Sequence, residues 1–250
     1  QREKAGAQTF GKYMYQYHWA LYRIFKEHAV EKEYAVFIEL HEDVVLANSL
    51  EVEQVKFEFN QVKTTNGKYT DKKLIKPDSE TKSSILGKLI SSGTNPVYLE
   101  RVNSINLVAS NGFSIPQKIK GIDLQDISIN DISDDCLKSM SDAIIKELSS
   151  DSFPINIHFI VSDLPEKSFE QTIIGHITEV ILKLYPGATI NAQNIYRALI
   201  DELTRKGRLD LDFKNWDKFI KEKALTSLTV TQVINEHTNR KQDSKVYEEL

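Results

Sequence analysis

The chain has 250 residues, 40% of them apolar and 27% charged, with a formal net charge of −4. That is the composition of an ordinary soluble protein, long enough for one large or two small domains around a sizeable core. It excludes a membrane-spanning helix, because no apolar run approaches the roughly 18 residues such a helix needs, and its single cysteine, Cys136, excludes an internal disulfide or a Cys-rich zinc site.

The first expected element is a helix. In "TFGKYMYQYHWALYRIFKEHA", Phe10, Tyr13, Tyr17, Leu21 and Ile24 recur every three or four residues and form an apolar stripe. Thr9 is the expected N-cap, Gln16 lies at the edge of the stripe, and the aromatic residues are expected in the core. Two strand-like runs follow, "EYAVFIELH" and "DVVLA", and the polar turn "NSLEVEQ" leads to a third, "VKFEFNQVKTT". Alternation places Val55, Phe57, Phe59, Gln61 and Lys63 on one face of that strand, and Glu58, Asn60 and Val62 on the other. Together these three runs predict an antiparallel meander.

"NGKYTDKKLIKPDS" is expected to be a loop, because Asn66-Gly67 signals a turn and Pro77-Asp78-Ser79 opens the next element. "SETKSSILGKLISS" predicts a short amphipathic helix with Ser79 as its cap, and "SINLVASNG" a buried strand. The first half is thus helix–strand–strand–strand–helix–strand, an α/β unit on a mixed sheet. The second half is more helical. Cys136, Met140, Ile144 and Leu148 fall every fourth residue, "INIHFIVSD" is a strand, and "SFEQTIIGHITEVILKLY", "NAQNIYRALIDELTRKG" and "TSLTVTQVINEHTNRK" are helices. Composition turns acidic and polar over residues 121–135, the best boundary candidate. Residues 1–115 are expected to form a core unit and residues 116–250 an α/β helical elaboration packed on it as one domain.

The charge is unevenly spread. Residues 1–120 carry 17 Lys/Arg against 14 Asp/Glu, a balance of +3, whereas residues 121–250 carry 15 against 22, a balance of −7. A mildly basic half favours a polyanion site there. The six histidines show no metal-ligand spacing, and neither a nucleophile elbow nor a phosphate-cradling glycine loop is present. The first 30 residues lack a leader pattern, so a cytoplasmic protein is expected. The start at Gln1 suggests one domain of a longer protein.

The polar residues that remain converge. Glu39 and Asp43 flank the junction of the first two strands, and a compact turn before the third sets Asp43 beside the end that carries Gln61 and Lys63. Taken singly, Asp43 suits a turn, Gln61 an edge amide and Lys63 a solvated strand end. Together they offer a carboxylate for a hard divalent cation such as Mg²⁺, an amide oxygen as a second ligand and an ammonium group for charge on a phosphoryl group. The chemistry expected is in-line hydrolysis of a phosphodiester. Lys68, Lys72, Lys73 and Lys76 lie in a basic stretch just past Lys63, suited to sequence-independent phosphate contacts. His41 shares the parity of Glu39 and Asp43 if the strand runs unbroken, and is expected to be structural.

The order helix, Asp strand, Q-x-K strand, helix, strand resembles the PD-(D/E)XK nuclease superfamily in its Gln variant, with a restriction-endonuclease-like mixed sheet flanked by helices. More closely, "GKYMYQYHWAL", "FIELHEDVVL" and "NQVKTT" resemble the double-stranded-DNA endonuclease domain of bacterial anti-phage effectors, of CBASS type or associated with a HerA-like ATPase. The resemblance spans residues 5–75 well and fades beyond 115. It implies Asp43 as the metal-binding aspartate, Gln61 and Lys63 as the Q-x-K pair, Glu39 as the glutamate ahead of the aspartate and Gln16 as an orienting residue on the first helix. Because Gln61 is neutral, Glu39 is a candidate for the missing acid.

The resemblance further implies Mg²⁺, with Mn²⁺ able to replace it, and a fused or separate regulator: a cyclic-oligonucleotide sensor, an NTPase or a HerA-like ATPase. Homo-oligomerisation is the implied switch, and low activity is expected of the isolated domain. A non-catalytic DNA-binding or assembly module on the same fold is the alternative, and a nuclease acting on RNA or single strands is a third.

Overall fold

The computed structural model describes residues 2–30, 32–94, 99–209 and 215–239, with side chains from residue 10 onward apart from that of residue 99. In chain order the elements are α1 (Arg2–His28), β1 (Ala35–Ile38), β2 (Val44–Ala47), β3 (Phe57–Lys63), β4 (Tyr69–Thr70), α2 (Asp71–Ile75), α3 (Ile85–Gly93), β5 (Val102–Ala109), β6 (Phe113–Ser114), β7 (Asp126–Ser128), α4 (Asp134–Leu148), β8 (Ile157–Val161), α5 (Phe169–Leu184), β9 (Thr189–Ile190), α6 (Ala192–Gly207), α7 (Trp216–Lys223), β10 (Leu225–Thr226), α8 (Ser227–Glu236) and β11 (Thr238–Asn239).

Seven strands form the central sheet in the order β10-β1-β2-β3-β5-β8-β7. β1, β2 and β3 are an antiparallel meander, whereas β3, β5 and β8 run parallel. β5 is buried on both faces from Ser104 onward, and its polar Asn106 is accommodated there by donating to Asn60 Oδ1 at 2.9 Å. Val36, Ile38, Val44, Leu46, Val62 and Val108 face one layer, packed with α1, α5, α6 and α8. On the opposite face Ile105, Leu107, Ile157 and Phe159 meet α2, α3 and α4. Phe37, Val45 and Phe59 continue that second face against Trp216 and Phe219 of α7. The result is a mixed α/β sheet flanked by helices on both faces, a restriction-endonuclease-like fold. Strands from both sides of residue 115 share the sheet: β10 forms one edge, β7 the other. Among the described residues no helix is long and apolar enough to cross a membrane.

Several local expectations need correction. α1 begins at Arg2, so Thr9 lies inside the helix rather than capping it. Phe10 and Tyr13 are exposed, 67% and 47%, and the buried stripe begins at Tyr15 and continues through Trp19, Ala20, Leu21, Ile24 and Phe25. The first turns of α1 therefore project past the core that the later turns fill. Residues 66–79 are not one loop: they contain β4, paired with β6, and the short α2, whose cap Thr70 accepts from Lys73 N at 3.2 Å. Ser84, not Ser79, caps α3, accepting from Gly87 N at 2.8 Å, because Asp78 has already turned the chain by accepting from the backbone of Glu80 and Thr81. α7 and β10 had no periodic signal long enough to announce them. The end of the expected last helix, beyond residue 239, lies outside the described residues.

Candidate active site

The site is built where β3 ends. β2 pairs with β3 through Val44 and Asn60; carried one residue further, the register sets Asp43 across from Gln61. The aspartate reaches on toward the strand end. Its Oδ2 accepts from Val62 N at 2.8 Å and from Lys63 Nζ at 3.5 Å. The pair is half-open to solvent, with side chains 34% exposed for Lys63 and 16% for Asp43. Both of these bonds to Asp43 use the same carboxylate oxygen. β3 is anchored beneath this tip by Phe59, which is buried against α7.

Glu39 opens the turn between β1 and β2. Its backbone takes a left-handed conformation, φ 51°, and its N–H donates to Asp43 O at 3.1 Å. This breaks the strand, so the shared parity of Glu39, His41 and Asp43 does not apply: residues 39–43 are a turn, and Glu39 and His41 are exposed. Glu39 still belongs to the site electrostatically. Partial burial and then the Asp43 carboxylate raise its pKa, while Lys223 and Lys63 pull it back.

Gln16 reaches the same strand end from α1. Its Nε2 donates to Val62 O at 3.4 Å, on the peptide that joins Val62 to Lys63, and its buried Oε1 has no partner among the described residues. Exchanging the two amide atoms would set oxygen against oxygen, so the assigned orientation is the one that bonds. A buried acceptor without a donor is the exception in folded proteins.

Glu42 joins the site from a direction the sequence did not signal. It is buried, 7% exposed, and its Oε2 accepts from Gln61 Nε2 at 3.3 Å. That bond turns Gln61 Oε1 away from Glu42. Burial pushes the Glu42 carboxyl up to about 7, opposed by a hydrogen bond from Ser92 of α3 and reinforced by the neighbouring Asp43 charge. Strand alternation sets Glu42 opposite in parity to Asp43, and only the turn brings it round to Gln61. Glu166 is the second residue the sequence did not mark. It follows β8, a hundred residues from β3, yet its Oε1 accepts from Thr65 N at 3.2 Å.

The structure thus brings Gln16, Glu39, Asp43, Gln61 and Lys63 together, by direct bonds or electrostatic contact. It does not gather the basic stretch with them. Lys68 pairs with Asp123 at 3.5 Å, Lys73 Nζ lies 5 Å or less from the Tyr69 ring centroid (4.7 Å), and Lys72 and Lys76 are exposed. No cation-binding cluster of three His, Cys, Asp or Glu side chains exists among the described residues. The side chains at this strand end include oxygen-bearing groups, those of Asp43, Gln61, Gln16 and Glu39, the atom type a hard cation takes. The unpaired Gln16 Oε1 fits such a group or its water shell.

Against known families, the model described as Cap4, dsDNA endonuclease domain, matches residues 4–207. No curated protein and no solved structure matches the chain. The match covers well over half of the sequence, takes in Gln16, Glu39, Asp43, Gln61 and Lys63, and includes every strand of the central sheet except β10. The chain belongs to the Cap4 dsDNA endonuclease domain family.

Proposed function

We propose that the chain hydrolyses phosphodiester bonds of double-stranded DNA at the Asp43–Gln61–Lys63 centre, in a Mg²⁺-dependent reaction of low sequence specificity. The observation that carries this reading is the 3.5 Å contact between Lys63 Nζ and Asp43 Oδ2 at the end of β3. Gln61 in the second acidic position makes it the Q-x-K form of a PD-(D/E)XK site. Asp43 and Gln61 would hold the cation, Glu39 is the further carboxylate in electrostatic reach, and Mn²⁺ would substitute. Once bound, the cation supplies Lewis-acid polarisation of a phosphoryl oxygen and lowers the pKa of a water.

The chain's own groups do the rest. Water oxygen bonds to phosphorus and releases a proton to solvent, one P–O ester bond breaks, and the departing oxygen takes a proton from solvent. Lys63 presents a fixed ammonium to the charge that builds on the non-bridging oxygens. Asp43 holds that ammonium, and it also fixes the N–H of Val62, the residue before Lys63. Gln16 secures the carbonyl of the same residue, a positioning role. Glu42 orients the Gln61 amide. Lys68, Lys72, Lys73 and Lys76 would track phosphates further along the duplex.

Biologically, the reading is a bacterial anti-phage effector nuclease working in the cytoplasm. A regulator would release it: a cyclic-oligonucleotide sensor, an NTPase or a HerA-like ATPase, acting through homo-oligomerisation. The test pairs binding with chemistry. Titration with Mn²⁺, followed by electron paramagnetic resonance, should show an ion bound by the wild type and by Lys63→Ala but not by Asp43→Ala, and neither variant should nick a plasmid. Mn²⁺ bound equally by Asp43→Ala would refute the assignment of the metal ligand.

A further inference from the structure

Just past the ends of β3 and β5, one carboxylate oxygen gathers three donors from two strand ends. Glu166 Oε1 accepts from Thr65 N at 3.2 Å, from Asn111 Nδ2 at 3.3 Å and from the Ser110 hydroxyl. The Asn111 amide also donates to Thr65 O, and the Ser110 hydroxyl oxygen accepts from Thr65 N at 3.1 Å. Ser110 N donates to Lys63 O at 3.0 Å, so this cluster is bonded to the backbone of the lysine itself. Among the described residues no cationic side chain pairs with Glu166. The carboxylate is held by a backbone N–H, a hydroxyl and an amide, the neutral donors with which proteins hold DNA phosphate oxygens.

The segment that carries Glu166 is fixed at its base and open at its tip. Leu164 is buried, and the Tyr15 hydroxyl donates to its carbonyl at 2.7 Å. Residues 165–168 are exposed, and Ser168 takes a left-handed conformation, φ 60°. A purely structural tie would explain the bonds but would leave a negative charge at the edge of a site that must accept a polyanion.

We propose that Thr65 N–H, the Ser110 hydroxyl and the Asn111 amide form a subsite for a DNA backbone phosphate next to the scissile one, and that Glu166 occupies it as an anionic mimic which DNA displaces. This rests on the reading of Lys63 and Asp43 as the cleavage centre. Glu166 then acts as a built-in brake: it sets a threshold for DNA entry without touching the reacting atoms.

The test measures binding separately from cleavage, by fluorescence anisotropy of a short labelled duplex with Lys63→Ala protein as the background. Glu166→Ala should tighten binding roughly tenfold by removing a like charge from the path of the phosphates. Adding Ser110→Ala and Asn111→Ala should reverse that gain. Glu166→Gln keeps an acceptor for the three donors and removes only the charge. It should also tighten binding while leaving the melting temperature unchanged, and it decides the matter if Glu166→Ala fails to fold. Unchanged or weaker binding by a folded Glu166→Gln protein overturns the proposal. The cleavage-centre reading fails separately, if Lys63→Ala protein cuts plasmid at the wild-type rate.

Discussion

Glu42 shows how a single residue ties the stability of the fold to its site. Its carboxyl is pushed from an ordinary 4.5 up to about 7, chiefly by burial. Folding therefore takes up a proton between those values, and the native state loses stability as pH rises from about 4.5 through about 7. The full shift corresponds to an upper bound on the order of 3 kcal/mol. His18 works in the other direction, since burial lowers its pKa and costs stability at acid pH. The informative quantity is thus a difference between two proteins. Urea unfolding of metal-free Glu42→Gln and wild type should show the variant gaining on the wild type between pH 5 and pH 8, and a constant difference would contradict the burial of a titrating Glu42. At this scale the sequence placed Asp43, Gln61 and Lys63 at one strand end, because a period of two and a short hairpin suffice for that. Glu42 stayed hidden because its contact depends on the left-handed turn at Glu39, and Glu166 because its partners lie 55 to 101 residues away.

β3 is the element that aims the site, and α3 is the element that backs it. Gly93, the last residue of α3, lies so close to β5 that a Cβ there would meet Ile105 Cδ1 at 2.6 Å and Cγ1 at 2.7 Å, inside a packed core where Ile105 cannot retreat freely. Gly93→Ala should therefore cost about 1–3 kcal/mol of unfolding free energy by overpacking. Because it displaces the helix that carries Ser92, it should also alter the environment of Glu42. Retention of wild-type stability by Gly93→Ala would show that the helix and strand are less closely packed than the structure has them. The long elements were legible in advance: the meander, β5, α4, α5 and α6 all carry a clear period. The stretch around Lys72 and Lys73 was not, because β4 needs β6 as a partner and α2 is only five residues long. α7 was missed for a related reason: its Trp216 and Phe219 are core residues only because the second face of β1–β3 needs a cover.

Across the whole molecule, the proposed function sets a polyanion against a mildly basic first half, while the acidic second half completes the sheet and its helices. Phosphate contacts by Lys68, Lys72, Lys73 and Lys76 would each add about 0.9 to the dependence of log affinity on log salt. Replacing all four by Ser should lower that slope by about 3 to 4 if every one contacts phosphate, and an unchanged slope would remove them from the interface. The fold class was readable from the order of its periods, because the long strands and helices carried their own patterns. The partners of the edge strands were not, since β10 and β7 are too short to carry one.

The central claim is that Lys63 and Asp43 form the cleavage centre. The most direct measurement is the rate of plasmid nicking in Mg²⁺ by Lys63→Ala protein beside wild type at equal, high enzyme concentration, with both melting temperatures recorded. The half-exposed lysine should be replaceable without unfolding, and the rate should fall by on the order of a hundredfold or more. Nicking at the wild-type rate by a folded Lys63→Ala protein would contradict the account.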